Sequence, residues 1–126
     1  MTMILEEHIT DKIIGAAIDV HKFWGPGLLE SIYKRSLIHE LLIRGMVVQQ
    51  ESPIPLAYKG VNVGEHLRID LLVESKVIVE LKAVAELTPL HDAQLLSYMR
   101  IAKCRIGLLI NFNTLTIKAG FKRFVL

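Results

Sequence analysis

Residues 68–82, RIDLLVESKVIVELK, decide the fold, because two apolar runs flank a polar turn centred on Ser75. Side chains alternate between the two faces of a strand, so this pattern predicts a β-hairpin with one wholly apolar face. The apolar face, which must cover a core, carries Ile69, Leu71, Val73, Val77, Val79 and Leu81. A slip of one residue would mix the two faces, so the pattern also specifies how the strands pair.

The other face of the hairpin carries charged side chains inside otherwise apolar strands. In the predicted register Asp70 lies opposite Glu80, and Arg68 lies opposite Lys82. Opposite Cβ atoms are about 5 Å apart, so the two carboxylates repel each other unless a positive charge lies between them. Arg68 and Lys82 supply that charge if the face is a salt-bridge ladder. A divalent ion supplies it if the face is a metal site, because Mg²⁺ binds one or two carboxylates, several waters and a substrate phosphate.

The spacing of Glu80 and Lys82, an acid followed two residues later by a lysine, is weakly specific by itself. With thirteen acids and nine lysines in 126 residues, about one such pair is expected by chance. The chain has two, and the other, Glu74 and Lys76, lies in the predicted turn. Only the pair ending in Lys82 lies inside an apolar strand. Beside an ion, this lysine would orient a water or help to deprotonate it, and would offset charge on a phosphoryl group.

The remainder of the chain places two helices before the sheet and one within it. Apolar residues at helical spacing predict helices over residues 6–23, 28–44 and 89–103. Gly25-Pro26-Gly27 separates the first two helices, Gly45 caps the second, and Pro89 suits the first turn of the third. Further strands are predicted at residues 46–50, 54–58, 105–112 and 121–126. We therefore expect a single α/β domain spanning residues 1–126.

Composition excludes several classes of protein. Hydrophobic residues make up 52% of the chain and charged residues 22%, which is typical of a globular domain. No apolar run approaches the ~20 residues that a membrane-spanning helix needs. The N-terminal residues 1–12 contain acids where a signal peptide has a basic start. Cys104 is the single cysteine, which excludes a disulfide framework and a cysteine-rich zinc site. We expect a cytoplasmic protein with no membrane partner.

Basic charge is concentrated at the C-terminal end. All thirteen acids lie at or before Asp92, whereas the segment beyond it has six basic residues and no acid. Such a segment can contact a polyanion, which makes Lys122 and Arg123 candidates for nucleic-acid binding. A solvated basic face explains the same pattern, so both interpretations stay open.

Three stretches, IIGAAIDVHKFWGPGLLESIY, RIDLLVESKVIVELKAV and LTPLHDAQLLSYMR, together cover nearly the entire chain. They resemble the PD-(D/E)xK nuclease superfamily, and GLLESIY at residues 27–33 resembles the motif that names its GxxExxY family. The resemblance implies a restriction-endonuclease-like core, with a central mixed β-sheet flanked by helices, and a metal-dependent phosphodiesterase site. The departure is Ile69, where the superfamily has proline, and this substitution costs the chemistry little.

The resemblance implies a metal site built on the hairpin. Asp70, Glu80 and the backbone carbonyl of Leu81 would hold Mg²⁺ or Mn²⁺, and Lys82 would serve the attacking water. Glu30, near the start of the second helix, would add a further acid. A carboxylate at that position also interacts favourably with the helix N-terminus and can cap it, which requires no function.

The resemblance also implies a set of supporting residues. Gln94 and Tyr98, one turn apart on the third predicted helix, would support the substrate or Lys82. Tyr33 is a candidate for the same role, although a tyrosine on this helix stripe more often fills a core with its hydroxyl satisfied. Arg68 is the last supporting candidate, next to the carboxylate pair.

The predicted function is therefore Mg²⁺-dependent hydrolysis of phosphodiester bonds in DNA or RNA. Two alternatives are a non-catalytic module that binds nucleic acid or a protein, and a structural homodimer whose charged hairpin face is a salt-bridge ladder. Metal dependence separates these alternatives, because an enzyme needs the ion, a binding module survives without it, and a ladder ignores it.

Overall fold

The computed structural model describes residues 6–126, so the first residues of the N-terminal segment considered above lie outside the described part. Its elements follow in the order α1 (Glu7–Trp24), α2 (Glu30–Ile43), β1 (Val48–Tyr58), β2 (Val61–Val73), β3 (Val77–Lys82), α3 (Pro89–Ala102), β4 (Ile106–Asn111), α4 (Ile117–Gly120) and β5 (Phe121–Val125). No helix in residues 6–126 has the length and apolarity needed to cross a bilayer.

The five strands form one mixed sheet in the order β1-β2-β3-β4-β5. Neighbouring strands are antiparallel except β3 and β4, which are parallel because α3 connects them. The predicted fold class, a restriction-endonuclease-like mixed sheet flanked by helices with two helices before it, is confirmed.

The helix ends follow the predicted signals. Gly45 has a φ of 78°, and its N–H donates to the carbonyl of Leu42 over 3.0 Å, so it ends α2 as expected. Thr88 and His91 form a reciprocal capping box at the start of α3, where Pro89 occupies the first turn. These caps set the direction in which α2 and α3 approach the sheet.

Apolar side chains cover both faces of the sheet. The layer under α1 and α2 includes Leu71, Val73, Val77, Val79, Leu81, Ile106, Leu108 and Ile110 from the strands. The layer under α3 includes Ile69, Ile78 and Leu109 from the strands, with Leu95 and Met99 from the helix. Burial on both faces explains why β3 and β4 read as continuous apolar runs.

The first hairpin is longer than the sequence predicts. Residues 46–50 and 54–58 were expected to form separate strands, but β1 runs through Pro53 without a break. Proline is tolerated there because β1 is an edge strand. Residues 52–58 and 61–69 form a two-stranded arm, since β2 pairs with β3 only from Leu71 onwards. The short helix α4 was also missed, because four residues carry no periodic signal.

Candidate active site

The hairpin turn and its register agree with the sequence prediction. Val73 pairs with Val77, and the ladder continues to Leu71 and Val79. Glu74 and Ser75 adopt φ values of 54° and 55°, as a tight hairpin turn requires. Backbone pairing between β2 and β3 ends at Leu71 and Val79. The next residues, Asp70 and Glu80, therefore lie where the two strands separate.

Asp70 and Glu80 replace main-chain carbonyls as hydrogen-bond acceptors at this point. The N–H of Asp70 donates to Oε1 of Glu80 over 3.2 Å, and the N–H of Leu81 donates to Oδ2 of Asp70 over 3.0 Å. Each carboxylate is therefore held by the backbone of the opposite strand. These two side chains take hydrogen bonds that a regular strand pair makes between backbone groups, and β2 and β3 are no longer paired beyond this point.

Two details of the predicted hairpin are wrong as a result. Arg68 does not lie opposite Lys82; it pairs across the arm with Pro53 and is exposed. Within residues 6–126, neither Arg68 nor Lys82 forms an ion pair with a carboxylate within 4 Å, so the alternative of a salt-bridge ladder has no support. Ile69 packs in the layer under α3, whereas Leu71 packs under α1 and α2, so the predicted apolar face does not extend to Ile69.

In residues 6–126 no cation lies within 4 Å of the Glu80 carboxylate. Only 4% of Glu80 is exposed. Burial, with a further contribution from Asp70, raises the pKa of Glu80 from 4.5 to about 8, and Lys82 offsets this only in part. Burial therefore opposes the ionisation of Glu80 near neutral pH. Such a site favours a bound cation.

Lys82 is held on the α3 side of the site by a chain of polar contacts. Its Nζ donates to Oε1 of Gln94 over 3.2 Å, and Nε2 of Gln94 donates to the hydroxyl of Tyr98 over 3.0 Å. Burial and the charge of Glu80 raise the pKa of Tyr98, which keeps this hydroxyl protonated. Gln94 thus links Lys82 to Tyr98.

Glu30 approaches from the first residue of α2. The residue is exposed overall, but neighbouring atoms partly desolvate its carboxyl end, and this desolvation together with Asp70 raises its pKa. Lys82 and Lys34 act in the opposite direction. Glu30 and Asp70 line the same open cleft of about 450 Å³. Glu30 lies in the first turn of α2, so a favourable interaction of its carboxylate with the helix N-terminus remains an explanation beside a role in the site.

Tyr33 is placed away from the site. It is fully buried, and its hydroxyl donates to the carbonyl of Gly25 over 2.6 Å and accepts from the N–H of Leu28 over 3.0 Å. Its ring stacks on Phe112 with centroids 4.8 Å apart. Tyr33 therefore fills the core and fixes the loop between α1 and α2, and a role toward substrate does not fit its position.

The two basic candidates on β5 do not form one surface. Lys122 contacts both carboxylate oxygens of Asp92 at 3.1 Å, so an acid from α3 offsets its charge. Arg123 is the next residue of the same strand, and successive side chains point to opposite faces of a sheet. Lys122 and Arg123 therefore do not present their charges on one face of β5.

Lys34 is a site residue that the sequence prediction missed. Its Nζ lies 3.0 Å from Oε1 of Glu51 and 3.6 Å from Oδ1 of Asp70. It follows Glu30 by four residues, which places both on the same face of α2. That spacing was the available signal, but contact with Glu51 depends on how α2 packs against β1.

The donor set fits a hard divalent ion. In residues 6–126 no three His, Cys, Asp or Glu side chains converge on one point. Mg²⁺ does not need three, because it keeps several waters and takes further oxygens from a substrate phosphate. Asp70 and Glu80 supply carboxylate oxygens, and burial raises the pKa of Glu80, whose ionised form a cation would stabilise. The main-chain oxygen of Leu81 is the third expected ligand.

The comparisons with known proteins agree with this geometry. The family model of the PD-(D/E)XK nuclease superfamily matches residues 7–124, which is nearly the whole chain. Neither the curated proteins nor the solved structures yield a significant match. On the family match, the chain belongs to the PD-(D/E)XK nuclease superfamily.

Proposed function

We propose that this protein hydrolyses phosphodiester bonds of nucleic acid with the help of Mg²⁺ or Mn²⁺. The observation that carries the proposal is the pair formed by buried Glu80 and half-buried Asp70, held by reciprocal backbone hydrogen bonds beside a lysine. Membership of a nuclease superfamily supports the reaction class. The motif at residues 27–33 further suggests the GxxExxY branch, and we propose a cytoplasmic location.

The proposed metal site consists of the residues that meet where β2 and β3 separate. Asp70, Glu80 and the carbonyl of Leu81 would hold the ion, and Glu30 lines the cleft beside them. When bound, such an ion lowers the pKa of its water and neutralises charge on the phosphate. The reciprocal hydrogen bonds keep the carboxylates in place before the ion arrives, which reduces the reorganisation that binding requires.

Lys82 is the proposed partner of the attacking water and the phosphate. Its ammonium has a hydrogen bond to Gln94 and no carboxylate within ion-pair distance in the described residues, so its charge is available to an anionic group. Gln94 is a positioning residue, because it holds Lys82 and is itself held by Tyr98. These two hydrogen bonds orient the Lys82 ammonium without neutralising its charge.

A non-catalytic nucleic-acid-binding module is less well supported. That alternative relied on the basic C-terminal segment, where Lys122 is paired with Asp92. It also gives no reason for burying Glu80 beside Asp70, although this burial raises the pKa of Glu80 to about 8 and opposes its ionisation.

The test is a cleavage assay with supercoiled plasmid, single-stranded DNA and RNA in Mg²⁺, Mn²⁺ or a chelator. We expect ion-dependent cleavage by the wild type and none by Asp70→Asn. Lys82→Ala should lose cleavage while keeping most of its nucleic-acid affinity, because the charge acts chiefly during phosphoryl transfer. Lys118→Ala, which removes an exposed cation from α4, is the matched control and should cleave normally. Undiminished cleavage by Lys82→Ala, or none by the wild type on any substrate, would overturn the proposal.

A further inference from the structure

Lys34 places an ammonium group against the carboxylate that is proposed to hold the ion. Only 15% of its side chain is exposed, and it contacts Asp70 from the α2 side, whereas Gln94 holds Lys82 from α3. Asp70 is thus approached by a cation of the protein itself. The role of Lys34 is not explained by the reaction proposed above.

The contact involves the oxygen of Asp70 that the backbone leaves available. Oδ2 accepts the N–H of Leu81, whereas Oδ1 is the oxygen nearest to Nζ of Lys34, at 3.6 Å. A divalent ion that uses Oδ1 therefore meets the ammonium of Lys34. Two cations on one carboxylate oxygen repel each other, so binding of the ion requires Lys34 to withdraw.

Glu51 gives Lys34 a place to withdraw to. Its Oε1 is closer to Nζ of Lys34, at 3.0 Å, than the oxygen of Asp70 is. Glu51 adopts a φ of 48° in the middle of β1, an uncommon conformation for a residue other than glycine. This backbone irregularity lies between the positions that pair with Leu71 and Ile69, beside Asp70. Lys34 can therefore leave Asp70 without losing its ion pair.

We propose that Lys34 is a positioning residue that competes with the divalent ion for Asp70, and that Glu51 sets how strongly it competes. This inference rests on the metal site proposed above. Without the ion, Lys34 neutralises part of the charge of Asp70. With the ion bound, Lys34 stays on Glu51 at the cleft that both residues line, and its ammonium faces the space open to a phosphate.

The competition makes two predictions of opposite sign for the affinity of Mn²⁺, measured by calorimetric titration on chelator-treated protein at fixed ionic strength. Lys34→Met should bind Mn²⁺ about tenfold more tightly, since one neighbouring charge commonly changes the affinity of a carboxylate by this much or more. Lys34→Arg keeps the charge and should bind like the wild type. Glu51→Gln should weaken binding, because Lys34 then has Asp70 as its carboxylate partner.

Two further variants separate competition from a general change in charge. Lys76→Met also removes one lysine of an ion pair, with Glu6 at 3.7 Å, but at the turn of the hairpin, and should leave Mn²⁺ affinity unchanged. In the Lys34→Met background, Glu51→Gln should have little further effect, because the competing ammonium is gone. Circular dichroism confirms that each variant is folded.

The outcomes distinguish this inference from the proposed function. If the wild type binds Mn²⁺ and Asp70→Asn does not, the metal site stands. In that case, two results would overturn the role of Lys34 but not the metal site. One is that Lys34→Met binds Mn²⁺ no more tightly than the wild type, and the other is that Glu51→Gln weakens binding equally in both backgrounds. Absence of Mn²⁺ binding in the wild type and in Lys34→Met would overturn the metal site, and the competition with it.

Discussion

Glu80 is nearly inaccessible to water, with 4% of its surface exposed, and it shares its site with a second carboxyl group. Glutamate is rarely buried to this extent unless it is paired with a cation. Here Oε1 of Glu80 accepts the backbone N–H of Asp70, which satisfies a hydrogen bond but supplies no full charge to Glu80. Residues with strongly perturbed pKa values in a cleft are candidates for function, and this pair is one.

The titration of Glu80 gives the protein a pH dependence of stability with a defined sign. Its pKa is 4.5 when unfolded and about 8 when folded. Between these values the folded state holds a proton that the unfolded state has released, so the free energy of unfolding falls as pH rises, by at most about 1.4 kcal/mol per pH unit. The contribution is fully present below about pH 4.5 and lost above about pH 8.

Urea denaturation of the metal-free protein across this pH range measures the effect. Glu80→Gln keeps an oxygen acceptor for the N–H of Asp70 but cannot titrate, so its stability should fall less steeply. Glu65→Gln, at an exposed position of the arm, is the matched control and should retain the wild-type slope. An equally steep decline in Glu80→Gln would contradict the assignment of the proton to this group.

At the scale of the elements, the sequence predicted the features that depend on a local pattern of residues, namely strand register and helix ends. The hairpin register followed from alternation between Leu71 and Val79, and the helix ends from caps such as Gly45. The sequence did not predict one continuous strand through Pro53, because a proline is tolerated within a strand only when that strand lies at the sheet edge, as β1 does. Lys34 was missed as well, since its contact with Glu51 forms only when α2 packs on β1. These contacts join distant residues, which local patterns do not encode.

The fit of α3 on the sheet depends on a glycine of β4. A Cβ atom added at Gly107 would lie 2.6 Å from Sδ of Met99 and 3.0 Å from Cδ1 of Leu95. Gly107→Ala should therefore force these side chains to move and destabilise the protein by about 1–3 kcal/mol, as overpacking of a core commonly does. It should also displace Gln94, because that residue shares α3 with Leu95.

Urea denaturation checks the stability of this variant, and Gly15→Ala in α1 is its control. A Cβ atom at Gly15 would meet only the end of the Arg44 side chain, at 3.0 Å, and alanine favours a helix over glycine. We expect the control to be neutral or slightly stabilising. A Gly107→Ala protein as stable as the wild type would show that α3 can shift outward freely.

At the scale of the whole molecule, the site joins parts that are distant in the chain. Asp70 and Glu80 come from adjacent strands, Glu30 comes from α2 on one side of the sheet, and Gln94 comes from α3 on the other. The site therefore exists only when both helical layers are packed on the sheet. A ligand of this site binds the folded state and not the unfolded one, so its binding must stabilise the whole fold.

Thermal unfolding with Mg²⁺, Mn²⁺ or Ca²⁺ tests this coupling. At a hundredfold excess of ion over its Kd, the folded state should gain about 2.7 kcal/mol, which corresponds to an increase in Tm of about 10 °C for a domain of this size. Asp70→Asn should lose the response, because it removes a ligand charge, whereas Glu65→Gln should keep it. The stabilisation should also grow with pH up to about 8, since the ion must displace the proton held by Glu80. If none of the three ions at millimolar concentration changes the Tm of the wild type, protonation of Glu80 is sufficient for the folded protein, and the proposed metal site is wrong.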